Sequence, residues 1–521
     1  MFLVREALGK VWLRFRPVKL TFPASPKWPT GFEMTQTMDL AQALGLAFAH
    51  LERNRLAEAR KLAKTIQKAQ PNAPGLGYLL GLLALAEGQG KKATQHLTKA
   101  LTATPDAPPL LLAMARAQAL QGRFEEAEGL LRRLPDMMEA CTELATLLLR
   151  RRDWQGAAEL LRDKVLTAAG FNNLGVAEQG LGRPEQAALA FAQAIDLDPG
   201  FAKPYSNLAG ILRRLKRPVE AHDAALQASR LAPADPAGWV ELGQALRDLD
   251  RPEEAVAALS QAKGSAEADW LRAELLERLE RKSEAAAAYR RVLKADKADP
   301  FGAALALARL EGGQAPDRAP SAFVAELYDR YAEVFDQDLR QGLQYRAPEL
   351  LLEAIRQTLS DGPFTCLDLG CGTGLVGEVM KPLLSAIDGI DLSPAMIEKA
   401  RQRGLYRDLV VGELTEASKR PQAYDLVTAA DVLIYLGELG PTFAACSCAL
   451  KPGGGFAFTV ESQEGEADYA LQPSKRFAHS AAYLRRLAAE HSFEVKLIED
   501  SWTRTENGKH LPGLICLLLR S

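Results

Sequence analysis

From about Asp39 onward apolar residues recur at helical spacing, and the small ones among them fall on a longer fixed period. Ala59, Ala93 and Ala127 are evenly spaced at an interval of 34, and the same interval separates Ala187, Ala221 and Ala255 and the pairs Pro71/Pro105 and Pro199/Pro233. A helical pair repeated in this way buries its apolar face only by stacking on its neighbours, with proline ending the second helix. The pattern predicts on the order of eight helical pairs over residues 39–300. An apolar capping helix should follow at residues 305–310. The step from Ala127 to Ala187 falls eight positions short of two repeats, so one shortened, irregular unit is expected within residues 135–170.

Beyond a glycine- and proline-rich stretch at residues 311–320 the pattern changes to short apolar runs of strand length separated by helical segments. Strands are expected at 386–390, 409–411, 424–429 and 456–461, after a first one ending at Leu369. The polar stretch from 462 to Ser474 reads as irregular, and His479 to Tyr483 as the start of a helix capped by Ser480. Two last runs, 493–498 and 514–519, flank Asn507-Gly508, a strong hairpin signal. The expected organisation is a leader at 1–38, a helical solenoid at 39–311, a linker at 312–322 and an α/β domain at 323–521.

Composition changes this picture little. The 521 residues, 47% hydrophobic and 25% charged, exceed one ordinary core, and a net charge of −2 gives no general attraction for nucleic acid. Six cysteines show neither metal-ligand nor disulfide spacing, so no metal is expected and a reducing, cytoplasmic setting is. The close pair Cys446 and Cys448 reads as apolar packing. In residues 1–33 six Lys/Arg stand against Glu6 and Glu33, and Arg5, Lys10 and Arg14 interrupt each apolar run. A weakly ordered leader is expected there, untranslated if Met34 is the start, with a membrane-surface segment as the alternative. No transmembrane span is expected.

The chemistry concentrates at residues 365–374, Thr-Cys-Leu-Asp-Leu-Gly-Cys-Gly-Thr-Gly. Glycines 370, 372 and 374 between a strand and a helix let the backbone approach a ligand closely, beside unpaired helix N–H groups. The spacing is G-x-G-x-G; Leu375 stands where a dinucleotide fingerprint has its third glycine. Asp391, at the end of the strand that follows this turn and helix, is placed to accept hydrogen bonds from ribose hydroxyls. Glu413 and Asp431 follow the third and fourth strands, so four strand ends converge on one crevice.

These pieces resemble the class I S-adenosylmethionine-dependent methyltransferases: Asp368-Leu-Gly-Cys-Gly-Thr-Gly374, Gly389-Ile-Asp-Leu-Ser393, Gly412-Glu-Leu414, Tyr424 through Asp431, and Leu450-Lys-Pro-Gly-Gly-Gly455, in order. The repeat unit Phe171-x-x-Leu174-Gly175, Ala187, Phe191, Ala194, Pro199 is similar to the tetratricopeptide signature, and Trp239, Leu242, Gly243, Ala255 and Ala262 repeat it. Tyr328-Asp-Arg-Tyr-Ala-Glu-Val-Phe-Asp336 is similar to a segment of bacterial methyltransferases that carry such repeats, except that Asp338 replaces a histidine. The resemblance implies an all-α solenoid followed by a Rossmann-like domain with an antiparallel last strand.

It implies S-adenosylmethionine as cofactor, held by Asp368, Gly370, Cys371, Gly372, Gly374 and Asp391, and by Leu392, Met396, Glu413, Leu414 and Asp431. Tyr328, Tyr331 and Tyr345 either cap the cofactor or pack a helix, and Arg346 is a candidate for the methionine carboxylate. Asp431, Tyr435 and His479 are the catalytic candidates; a surface histidine is the alternative for the last. Arg504 and Glu506 match the family's closing motif. The solenoid is expected to bind a protein or peptide, or a second copy of the chain. The methyl acceptor stays open between a protein and a small molecule, a non-catalytic interaction protein is the third reading, and the Asp431-Val-Leu-Ile434 run disfavours a DNA amino-methyltransferase.

Overall fold

The computed structural model describes residues 39–162, 164, 166–312, 315–333, 335–339, 344–359, 362–506 and 508–521. The expected leader, including Met34, lies outside them. Two compact units divide between Leu249 and Asp250, in the turn after the helix Pro236–Asp248 and well before the linker expected at 312–322.

The first unit is helical throughout its described residues, from Leu40–Glu52 and Leu56–Ala69 to Pro218–Leu231 and Pro236–Asp248. Each pair turns through one left-handed residue, at Asn54, Gly88, Gly122, Arg152, Gly182 and Lys216, and the series continues in the second unit at Asp250 and Glu280. These positions correct the expected single short unit. The series keeps the full repeat interval up to Gly122, then takes two equally shortened steps, to Arg152 and to Gly182, so the deficit is shared by two units. Its physical form is two truncated second helices, Phe124–Arg132 and Trp154–Leu161, of 9 and 8 residues where Pro184–Leu197 has 14. The alanines keep the same rhythm. Ala59, Ala93, Ala127, Ala157, Ala187 and Ala221 are all 0% exposed, because the two helices of a pair touch at a position with room for one methyl group.

In the second unit the helices Pro252–Gln261, Ala266–Arg278, Lys282–Ala295 and Ala303–Glu311 continue the pairing, and Trp270, Tyr289 and Val292 form their core. The sheet follows. Strands β1 (Phe364–Leu369), β2 (Leu384–Asp391), β3 (Asp408–Val411), β4 (Tyr424–Ala429) and β5 (Leu450–Ser462) lie parallel in the order β3-β2-β1-β4-β5. Its order puts the strand reversal between β1 and β4, so a crevice opens at their carboxyl ends.

The stretch expected to be irregular contains two short strands, β6 (Tyr469–Leu471) and β7 (Phe477–His479), paired with each other, with β7 lying parallel to the end of β5. The hairpin β8 (Phe493–Glu506) and β9 (Lys509–Arg520) turns through Gly508 at φ 74°, and β9 runs antiparallel to β5. The expected partner in that turn, Asn507, lies outside the described residues. Among the described residues no helix is long and apolar enough to cross a membrane.

Candidate functional site

The glycine turn is fastened to β2 before any ligand is considered. The N–H groups of Gly370 and Cys371 both donate to the Ile390 carbonyl, at 2.7 and 3.1 Å. Gly370 sits at φ 65° with Val432 so close that a Cβ would lie 2.3 Å from its methyl group, so only glycine fits. On its outer side the turn is open: a Cβ on Gly372 would meet only the ring of Phe335, at 3.8 Å.

Asp391 organises the crevice. Its two carboxylate oxygens accept the N–H of Gly372 at 2.9 Å and of Ser393 at 2.8 Å. Burial raises its pKa, against the opposing pull of those backbone bonds. Each oxygen keeps a lone pair for a ligand hydroxyl. Asp368, in contrast, is 0% exposed and accepts from Thr428 Oγ1 at 2.8 Å and Tyr406 OH at 2.7 Å; burial pushes its pKa to about 7. It braces the turn from beneath.

Several residues expected to touch a cofactor have their side chains in the core: Cys371, Met396 and Leu414 are buried, and Leu392 packs beside Phe477 and Val324. Glu413 accepts from Arg318 and from Ser321 Oγ, both at 2.6 Å. The guanidinium of Arg346 lies 4.5 Å from the centroid of Trp502, and the residue's backbone N–H donates to the Thr503 carbonyl at 2.9 Å, so its observed contacts fix it to β8.

The segment before the sheet binds the crevice through aspartates that sequence reasoning passed over. Asp329 accepts from Ser393 Oγ and from the Ala395 N–H, 3.1 Å away, at the start of the helix Pro394–Gln402, where an anion also meets the helix dipole. Asp336 accepts from Thr373 Oγ1 and pairs with Arg403, whose Nε donates to the Thr373 carbonyl. The available signal was that these two acids stand seven residues apart, two helical turns, in the tyrosine motif. Tyr328 donates to or accepts from Tyr435 OH at 2.9 Å and stands edge-on to Phe335. Tyr331 hydrogen-bonds Asp338, the residue that replaces the histidine, and burial and that bond raise its pKa to about 12. Tyr345 is half-buried, and burial followed by the field of Asp431 raises its pKa.

On the other side of the crevice Asp431 adopts φ 57°, a strained geometry for a residue with a side chain, and donates its N–H to Thr459 Oγ1 at 2.9 Å. Its carboxylate pairs with Arg504, 3% exposed, which also pairs with Glu461. Arg476 joins Glu461 at 2.7 Å and pairs with Glu506. Among the described residues no cluster of histidine, cysteine and carboxylates is arranged to hold a metal.

His479 differs from both expectations. It ends β7, is 0% exposed, and its Nε2 lies 3.1 Å from the Gly437 carbonyl. Burial lowers its pKa to about 4 from the ordinary 6.5, so it is neither a surface residue nor a proton acceptor near neutral pH. The unfolded chain takes up this proton at higher pH than the folded one, so the stability present above pH 6.5 is lost as pH falls through 4. Between pH 7 and 5 this group should cost the wild type about 2 kcal/mol that His479→Gln does not lose. Urea midpoints of both proteins at the two pH values check this; equal losses would show that the histidine is protonated alike in both states.

Comparison with known proteins agrees with this anatomy. Residues 367–456 match a family model described as a methyltransferase domain, and 84–150, 172–236 and 240–303 match tetratricopeptide repeat models. Human methyltransferase-like protein 27 is 33% identical over 151 residues, which are 27% of this chain and 59% of that protein. The ubiquinone biosynthesis O-methyltransferase of Saccharophagus degradans is 34% identical over 106 residues, 19% of this chain and 45% of that enzyme. The chain thus spans about half the length of these relatives. Among solved structures, a SAM-dependent methyltransferase from Methanosarcina mazei aligns over 32% of this chain and 96% of its own at 18% identity, with a TM-score of 0.28. The magnesium protoporphyrin IX methyltransferase of Synechocystis, solved with bound SAH, aligns over 38% and 96% at 16% identity, with a TM-score of 0.30.

Proposed function

We propose that this chain, a series of tetratricopeptide repeats joined to a methyltransferase domain, transfers a methyl group from S-adenosylmethionine to an acceptor, and that the repeats recruit a protein substrate or partner. The observation that carries the reading is Asp391: a half-buried carboxylate, held by the glycine turn and by Ser393, with lone pairs left for a ribose. Gly370, Gly372 and Gly374 all hold positive φ, Gly372 leaves the backbone open to a ligand, and Glu413 and Asp431 follow the ends of β3 and β4. The fit is supported by the open face of Gly372, where a side chain would meet only Phe335.

When bound, S-adenosylmethionine supplies a methyl group already activated by the sulfonium charge, so neither a metal nor a covalent enzyme intermediate is required. The protein's part is alignment and exclusion of water, worth several kcal/mol when the reacting atoms are held in line. Phe335, Tyr328 and Tyr435 form the aromatic cover for this, and Asp336 secures it to Thr373 and Arg403. His479 is buried and its pKa is lowered by that burial, so the acceptor's proton does not pass to His479.

Incubation of the full chain with methyl-labelled S-adenosylmethionine and a protein extract should place label in at least one protein. Label confined to small molecules would overturn recruitment of a protein substrate and favour the second reading, a small-molecule methyltransferase whose repeats assemble it. That reading draws its support from the relatives named as ubiquinone biosynthesis O-methyltransferases. We place the activity in the cytoplasm, because the spacing of the six cysteines fits no disulfide framework.

A further inference from the structure

The turn between β6 and β7 carries two adjacent cations that reach in different directions. Lys475 places Nζ 4.3 Å from the ring centroid of Trp270 and 3.9 Å from the Glu274 carboxylate, both on the helix Ala266–Arg278 of the last repeat. Arg476 binds Glu461 at 2.7 Å and also pairs with Glu506. The same Glu461 oxygen receives Arg504, which holds Asp431 at the end of β4. The turn itself is tight, with Gln472 N–H on the Arg476 carbonyl at 2.8 Å and Lys475 N–H on the Gln472 carbonyl at 2.9 Å.

Two further features speak for a fixed arrangement. Lys475 sits at φ 65°, a strained backbone position where glycine or asparagine is the usual occupant. Trp270, its platform, is 9% exposed and packed against Tyr289 and Phe301 with centroids 5.3 and 5.9 Å away. A parallel apolar route runs beside it: Leu305, from the last helix of the repeat, shares a cluster with Phe477 of β7 and with Tyr328 and Tyr435 of the crevice.

We propose that the β6–β7 turn is a positioning element that couples the last repeat helices to the acceptor side of the crevice, with Lys475 docked on Trp270 and Glu274, and Arg476 holding Glu461 and through it Arg504 and Asp431. This inference rests on reading the crevice as a methyltransferase site. It gives the repeats a second role: a partner that displaces the Trp270 helix would reach Asp431 through Lys475, Arg476, Glu461 and Arg504.

Amide hydrogen exchange on the full chain tests it, with Lys475→Gly as the variant because glycine suits the backbone at that position and folding is not at risk. Exchange at residues 503–506 and 431–435 should quicken about tenfold, as expected for losing a partly desolvated cation–π contact that closes the network. The glycine turn and the helices at 202–231 should stay unchanged. Lys475→Arg, which keeps a cation over the indole, should restore the wild-type rates, and Lys475→Met should not. Faster exchange confined to 472–476, or no rescue by arginine, would overturn the coupling. If exchange behaves as expected and the wild type takes up no S-adenosylmethionine in a separate titration, the coupling stands and the methyltransferase reading falls.

Discussion

Replacing Arg504 with alanine should destabilise the second unit by about 3–5 kcal/mol, the scale for removing one partner of a buried ion pair. Arg504 is 3% exposed and meets Asp431 and Glu461, with Glu506 at 3.7 Å, so its loss leaves Glu461 and Glu506 to Arg476 and takes away the cation paired with Asp431. Burial already raises the pKa of Glu461, with Arg504 as the largest opposing influence. Removing that influence should raise it further. Urea unfolding of the full chain, followed by a probe in the sheet, gives the change directly. Asp431→Asn with Glu461→Gln in the Arg504→Ala background should recover part of the loss, because uncharged partners no longer repel one another. A loss below about 1 kcal/mol would mean that the network behaves like a solvated surface pair.

Asp391→Ala should weaken S-adenosylmethionine binding roughly 100-fold or more, since each hydrogen bond to a charged group is worth about 1.5–3 kcal/mol and both ribose hydroxyls lose their acceptor. The same change frees Gly372 and Ser393. Asp391→Asn is informative despite its equal size. Both oxygens accept backbone N–H groups, so an asparagine must turn its own amide N–H toward one of them, and binding should fall as well. Equilibrium dialysis with labelled cofactor measures both variants, and unchanged retention would put the ribose elsewhere.

What was legible in the sequence follows from which signals are local. The glycine turn, the strands ending at Leu369, Asp391 and Ala429, and the regular alanine period depend on neighbours along the chain, and the fold bears them out. The apolar helix expected at residues 305–310 is Ala303–Glu311. The two strands of the β6–β7 hairpin were invisible because three residues are too few to show alternation; β7 forms on the end of β5, and β6 on β7.

His479 misled for a related reason. Beside a helix cap it looks exposed, but the strand that carries it lies under Tyr469 and Tyr483. Arg346 reads from the sequence as a candidate for the methionine carboxylate, and only the β8 strand, far later in the sequence, reveals Trp502 as its partner. The aspartates at 329 and 336 were visible as residues, yet their targets, a helix start and a turn, exist only in the folded unit.

Cofactor uptake at the Asp391 crevice is read by calorimetric titration of S-adenosylmethionine into the full wild-type chain. A saturable heat corresponding to one molecule per chain is expected. A flat titration at millimolar cofactor, with the protein folded, would contradict it and leave the repeats as the functional part of the molecule.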